Sequence, residues 1–204
     1  MNVSTTVRCE GCLGCADVVH ERFSPPHWHI EPELVRLVMV SEAPPLDPDD
    51  WFDAGDGALF AQTTILAFQE AGASVAKLDD LIGMGVYLTT AVKCAKATSV
   101  ISARTITTCS SLLEAELASF PDVRALMLMG DAAIKSVNAI ARRCGEPRVI
   151  PAGSTYKLRG GGYVWRRMQV FPSYVQSGPA FFVERSKRRM IAEDIAAGLA
   201  HARR

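Results

Sequence analysis

The chain has 204 residues, 49% of them hydrophobic and 22% charged, with a formal net charge of zero. That length supports a substantial core in one domain, and no apolar run approaches the roughly 20 residues of a membrane helix. Residues 1–15 lack the basic start and apolar middle of a signal peptide, so we expect a cytoplasmic protein. In that setting six cysteines suit metal or catalytic roles better than disulfides. The neutral total hides an asymmetry: residues 1–134 carry 8 Lys/Arg against 18 Asp/Glu, and residues 135–204 carry 14 against 4. The basic C-terminal third is either a local footprint for a polyanion or the counterpart of the acidic part of the same chain.

Taken in order, residues 1–30 read as a cysteine-bearing arm of a single domain spanning 1–204. The arm holds Cys9-Glu10-Gly11-Cys12-Leu13-Gly14-Cys15 and the loop-like His27-Trp28-His29, whose two histidines make an incomplete metal site. Residues 34–40 (LVRLVMV) form the first strand, nearly all apolar as a central parallel strand should be. The turn Ser41-Glu42-Ala43-Pro44-Pro45 follows, then an acidic loop over 46–56 in which Asp47, Asp49 and Asp50 read as solvated charges. Residues 58–70 read as a helix closed by Gly72.

The run Val86-Tyr87-Leu88-Thr89-Thr90-Ala91-Val92 is the second strand, with Thr89 and Thr90 near its carboxyl end and Cys94 just beyond. Residues 99–108 are polar and read as a loop, 110–119 as a helix, 125–129 (ALMLM) as the third strand and 132–143 as a helix that buries Cys144. Residues 156–159 and 163–166 flank Gly160–Gly162 and suggest a hairpin. Residues 168–171 form the fourth core strand and 185–200 the last helix. Strands alternating with helices define a three-layer α/β/α sandwich on a mainly parallel four-stranded sheet with right-handed crossovers.

Several groups have chemical potential. A close cysteine pair, Cys9-x2-Cys12 or Cys12-x2-Cys15, with the distant Cys94 and Cys109 makes a four-thiolate set suited to zinc or an iron–sulfur cluster; otherwise Cys94 and Cys109 are small buried residues. Glu42 leaves the first strand at its ligand-facing end and can orient a water, or is a solvated turn carboxylate. The loop after the fourth strand leads through Phe181-Phe182 into Arg185, Lys187, Arg188 and Arg189. Apolar and basic residues so joined suit a wedge and phosphate contacts on DNA, or a packed helix with a charged outer face.

In their order, these pieces resemble the uracil-DNA glycosylase superfamily, specifically its iron–sulfur (family 4 or 5) branch. The resemblance rests on Cys-x2-Cys near the start, Ser41-Glu42-Ala43-Pro44-Pro45, and Val86-Tyr87-Leu88-Thr89-Thr90-Ala91-Val92-Lys93-Cys94. It continues through Cys109, Leu128-Met129-Gly130-Asp131-Ala132-Ala133, Lys157-Leu158-Arg159-Gly160 and Val170-Phe171-Pro172. It implies a [4Fe-4S] cluster on Cys9, Cys12, Cys94 and Cys109, with Cys15 as an alternative ligand and zinc as an alternative metal. It also implies a monomer acting on DNA, with a flipped base stacked on Phe52 or Phe60. Substrate would meet Ser41, Ala43, Thr90 and Ser177, with Glu42 and Gln176 as catalytic groups. Two positions depart from the family. Thr90 stands where it places a uracil-reading Asn, and Val175 where it places a His that stabilises charge on the departing base. The resemblance therefore implies a glycosylase of reduced or altered specificity, or a non-catalytic iron–sulfur protein of the same fold that binds nucleic acid or a nucleotide.

Overall fold

An all-apolar strand is stable only between two covering layers, and residues 37–41 are buried at every position. The computed structural model describes residues 14–26 and 28–204; Cys9, Cys12 and His27 lie outside the described residues. In chain order the strands are β1 (Val18–Phe23), β2 (Leu37–Ser41), β3 (Val86–Thr90), β4 (Cys94–Lys96), β5 (Ala125–Met129), β6 (Tyr163–Trp165) and β7 (Met168–Ser173). The helices are α1 (Leu59–Glu70), α2 (Leu78–Gly83), α3 (Ala103–Ala118), α4 (Asp131–Arg143), α5 (Thr155–Leu158), α6 (Ala180–Val183) and α7 (Arg185–Ala202).

The main sheet runs β3-β2-β5-β7-β6, with the first four strands parallel and β6 antiparallel at the edge. Alternate residues of each central strand enter different cores. Val38, Val40, Leu126 and Leu128 join Leu113, Val137 and Ile140 of α3 and α4 on one face. Leu37, Met39, Ala125 and Met127 join Phe68, Leu81 and Ile195 of α1, α2 and α7 on the other. This is the expected α/β/α sandwich, with a fifth strand that composition did not announce.

That strand corrects the expected hairpin. Residues 155–158 form a helical turn, and Arg159 turns away to donate to Asp194 Oδ1 at 2.9 Å and to the Met190 carbonyl at 2.8 Å. Strand β6 pairs with β7 instead, through a two-residue loop at Arg166 and Arg167, both with positive φ (47° and 71°). Such a loop matches the twist of paired strands. Its unusual occupant is held by stacking of Arg166 on Trp165 at 4.6 Å and by an ion pair to Glu146 at 2.8 Å.

The expected loop over 99–108 is also corrected, because α3 begins at Ala103. The Ser102 hydroxyl accepts from the Thr105 amide at 3.1 Å, and Asp17 accepts from both the Ser102 amide and the Thr105 hydroxyl. Burial raises the Asp17 pKa, but these hydrogen bonds outweigh it and hold the carboxyl below its ordinary value. Ser102 thus caps the helix, and a carboxylate distant in sequence braces that cap at a Ser/Thr-rich start with little propensity of its own. Cys144 is exposed at the end of α4 rather than in the core, with its thiol donating to Glu114 at 3.0 Å. Strands β1 and β4 form a separate antiparallel pair that carries the cysteines' surroundings.

Candidate active site

Parallel sheets bind ligands beyond the carboxyl ends of their strands, where helix and strand termini leave backbone groups available. Here β2 and β3 end side by side, with Ser41 in register with Thr90. The turn that follows β2 is stitched to the segment after β3. The carbonyls of Ser41, Glu42 and Pro44 accept from the amides of Ala91, Val92 and Lys96 at 2.8, 3.0 and 3.2 Å. The Lys96 ammonium then reaches back to the Glu42 carboxylate at 2.9 Å. The turn is therefore fixed from both its backbone and its side chain.

A cavity of about 560 Å³ opens beside this turn, between it and the loop after β7. Glu42, Ala43, Phe60 and Ser177 line it, so four of the expected substrate and catalytic residues come together. The other lining charges are Asp47, Asp50 and Lys96. Close packing shapes two of its edges. A Cβ on Gly130 (φ +96°) would lie 2.6 Å from Val175 Cγ2, so the valine seats against bare backbone at the start of α4. Gly178 (φ +81°) approaches Phe60, where a Cβ would meet the ring at 3.1 Å, and its amide donates to Thr63 Oγ1 at 3.0 Å.

Ser41, Phe52, Thr90 and Gln176 are buried outside the cavity wall. Phe52 packs on Trp51 and Trp28, with ring centroids 4.6 and 5.7 Å away, which leaves Phe60 as the ring that faces the cavity. The Gln176 amide closes on Ser41: Nε2 donates to the hydroxyl at 3.0 Å and Oε1 accepts from it at 3.2 Å. Gln176 therefore ties the β7 loop to the end of β2. By contrast, the Thr90 and Ser177 hydroxyls are buried with no hydrogen-bond partner among the described residues.

Next to Thr90 lies a buried ion pair that the sequence reading missed. Lys93 donates to Glu116 Oε2 at 2.6 Å, to Thr89 Oγ1 at 2.7 Å and to the Thr90 carbonyl at 2.6 Å, which uses all three ammonium protons. Both partners are about 1% exposed. Glu116 also accepts from Tyr87 at 3.3 Å and Thr89 at 2.9 Å, and burial with this carboxylate beside it drives the Tyr87 phenol far above its usual pKa. The available signal was a lone lysine inside the apolar run Ala91–Cys94, because a charge there must be partnered.

The same lysine's amide donates to Cys109 Sγ at 3.2 Å. Cys15, Cys94 and Cys109 are all buried in one apolar cluster. Burial pushes the Cys109 thiol up, the Lys93 contacts oppose it, and the nearby Cys15 adds to the rise. Among the described residues, no three His, Cys, Asp or Glu side chains are gathered so as to hold a metal. Soft buried donors with an N–H bond to sulfur suit an iron–sulfur cluster or zinc in kind. A four-ligand site would need a thiol from the Cys9–Cys12 stretch, outside the described residues.

The basic cluster lies on the first turns of α7, joined to the cavity through Pro179, Ala180 and α6. Lys187 pairs with Glu184 at 2.7 Å, Arg188 with Glu70, and Arg189 with Glu193 at 3.6 Å, while Arg185 is exposed. Phe181 is buried under Arg188, whereas Phe182 and Val183 are exposed at 52% and 76%.

Fold and cavity together define an α/β protein with a ligand-sized cavity at the carboxyl ends of its strands. The sequence narrows the class: residues 28–193 match the Uracil DNA glycosylase superfamily, and the chain belongs to it. Members of that superfamily are generally glycosylases acting on bases in DNA. No curated protein matches the chain. Among the described residues, no helix is long and apolar enough to cross a membrane.

Proposed function

We propose that the protein is a DNA-base glycosylase of altered specificity that hydrolyses the N-glycosidic bond of a damaged or deaminated base. The observation that carries this reading is the joint presence of Glu42, Phe60 and Ser177 in the wall of one cavity at the strand ends. Its volume lies within the range of small-molecule sites. In this reading the flipped base stacks on Phe60, and the Ser177 hydroxyl meets its polar edge. Glu42, held by Lys96, orients a water toward C1′ and takes its proton as the glycosidic bond breaks. Thr90 and Gln176 act from behind the wall by setting the strand end and the β7 loop. Phe182 and Val183 are placed to press on stacked bases, and Arg185, Lys187, Arg188 and Arg189 to meet phosphates. The test is base release from oligonucleotides carrying uracil, hypoxanthine or xanthine. We expect release by the wild type and a drop of about a hundredfold or more for Glu42→Gln. DNA binding with no release from any lesion, cofactor intact, would instead favour a non-catalytic binder.

For the cofactor we propose a structural [4Fe-4S] cluster, held by Cys12, Cys15, Cys94 and Cys109. What supports Cys15 over Cys9 is its burial in the same cluster as Cys94 and Cys109, near enough to act on the Cys109 thiol. The cluster would tie the N-terminal arm to the region after β3. Anaerobically purified Cys15→Ser should lose iron, sulfide and brown colour, while Cys9→Ser keeps them. The reverse outcome would restore Cys9 as the ligand, and a colourless zinc protein would replace the cluster altogether.

A further inference from the structure

We propose that the base this cavity takes is a cationic, N-alkylated purine rather than a neutral imide such as uracil. The inference rests on the glycosylase reading above and concerns the charge of the departing group. Three carboxylates line the cavity, Glu42, Asp47 and Asp50, against the single cation Lys96, which is already paired with Glu42 at 2.9 Å. Among the described residues, Asp47 accepts only a backbone amide, from Asp49 at 3.0 Å, and no cation pairs with Asp50. The rim of the cavity therefore carries two carboxylates with no cation partner among the described residues. On its other side stands Val175, an aliphatic group with nothing to donate to an anion.

An anionic leaving base would meet repulsion there instead of the aligned donors that make such sites effective. A cationic purine reverses every sign. Its ring charge is attracted by Asp47 and Asp50 in the bound state. The C1′–N9 bond then breaks with its electron pair passing to N9, which cancels the ring charge, so the base departs neutral and needs no stabilising donor. The water oxygen bonds to C1′ and its proton passes to Glu42 and then to solvent. Independently of the charges, Ser177 belongs to the cavity lining, and its hydroxyl is buried with no hydrogen-bond partner among the described residues. The apolar Phe60 and Val175 are compatible with a flat, alkylated ring.

The experiment compares release of 7-methylguanine, uracil and hypoxanthine from matched oligonucleotides by the cofactor-loaded protein. It repeats the comparison with Asp47→Asn/Asp50→Asn. Both aspartates lie at the rim, and Asn at 47 retains the acceptor for the Asp49 amide, so we expect a thermal melt of the variant to match the wild type. We expect 7-methylguanine to be released fastest, and its kcat/KM relative to uracil to fall about tenfold in the double variant, because only the cationic base loses an attraction. Uracil or hypoxanthine released at least as fast as 7-methylguanine would overturn the inference and leave the glycosylase reading standing. So would an unchanged ratio in the double variant. Release of no base from any of the three would overturn both.

Discussion

Two polar regions adjoin the end of β3 and treat their hydrogen bonds in opposite ways. On the cysteine side, Lys93, Glu116, Thr89 and Tyr87 form a buried set in which every ammonium proton has an acceptor and the carboxylate accepts from two further donors, Tyr87 and Thr89. Toward the cavity, Ser177 in its lining and Thr90 behind it leave their hydroxyls buried and unmatched among the described residues. Residues 89 and 90 are neighbours, yet one hydroxyl is locked and the other is not. Satisfaction in a low-dielectric interior gives rigidity, whereas an unmatched group costs stability unless something else completes it. The first region is scaffold that holds the strand end, and the second keeps hydroxyls that no group among the described residues uses.

The strongest way to break this comparison is to break the scaffold. Lys93→Met would leave Glu116 buried with no counter-charge, an expected loss of about 3–5 kcal/mol. Lys93→Met/Glu116→Leu should recover most of it, because removing both charges removes the desolvation cost with them. Urea unfolding of the three proteins measures both numbers. A single variant as stable as the wild type would mean the network contributes no more than a surface pair.

Gln176 sharpens the boundary between the regions, because its sequence position suggested chemistry and its amide is hydrogen-bonded to Ser41. Gln176→Ala strips the partner from the buried Ser41 hydroxyl and should cost about 1–3 kcal/mol in stability. If Gln176 acts by holding the β7 loop, KM for a lesion oligonucleotide should rise while the pH profile of kcat stays as in the wild type. A shifted pH profile would place it in the proton chemistry after all.

How much of this was legible in the sequence follows from which interactions are local. The strands at 86–90 and 125–129 could be read because continuous apolar runs can only be buried. The turn at Ser41–Pro45 could be placed because it follows such a run. The start of α3 was only half readable: its Ser102 cap is local, but Asp17, which holds that cap in place, lies 85 residues away. The Arg166–Arg167 hairpin was hidden for a related reason: two arginines in left-handed conformation carry none of the usual Gly or Asn signature and are held by Glu146. The motif order brought Glu42 and Ser177 to one site, but the charge of the wall, from Asp47 and Asp50, emerged only when the acidic loop folded over the cavity. A count of carboxylates cannot tell a solvated loop from a pocket rim.

The smallest expected change in stability is also the sharpest test of what the cavity side is for. Ser177→Ala removes a hydroxyl that makes no bond in the protein, at a residue 5% exposed. Because the orphan group costs desolvation without return, its loss should leave stability within about 0.5 kcal/mol of the wild type or raise it slightly. Thr90→Val, nearly equal in shape, should behave in the same way. If the hydroxyl at 177 is completed by a bound base, the alanine variant should lose about tenfold or more in kcat/KM on the preferred lesion. Stability held or gained with turnover lost is the signature of a group kept for a ligand. A loss of several kcal/mol on Ser177→Ala would show instead that the hydroxyl is bonded within the folded protein, and the difference between the two regions would vanish.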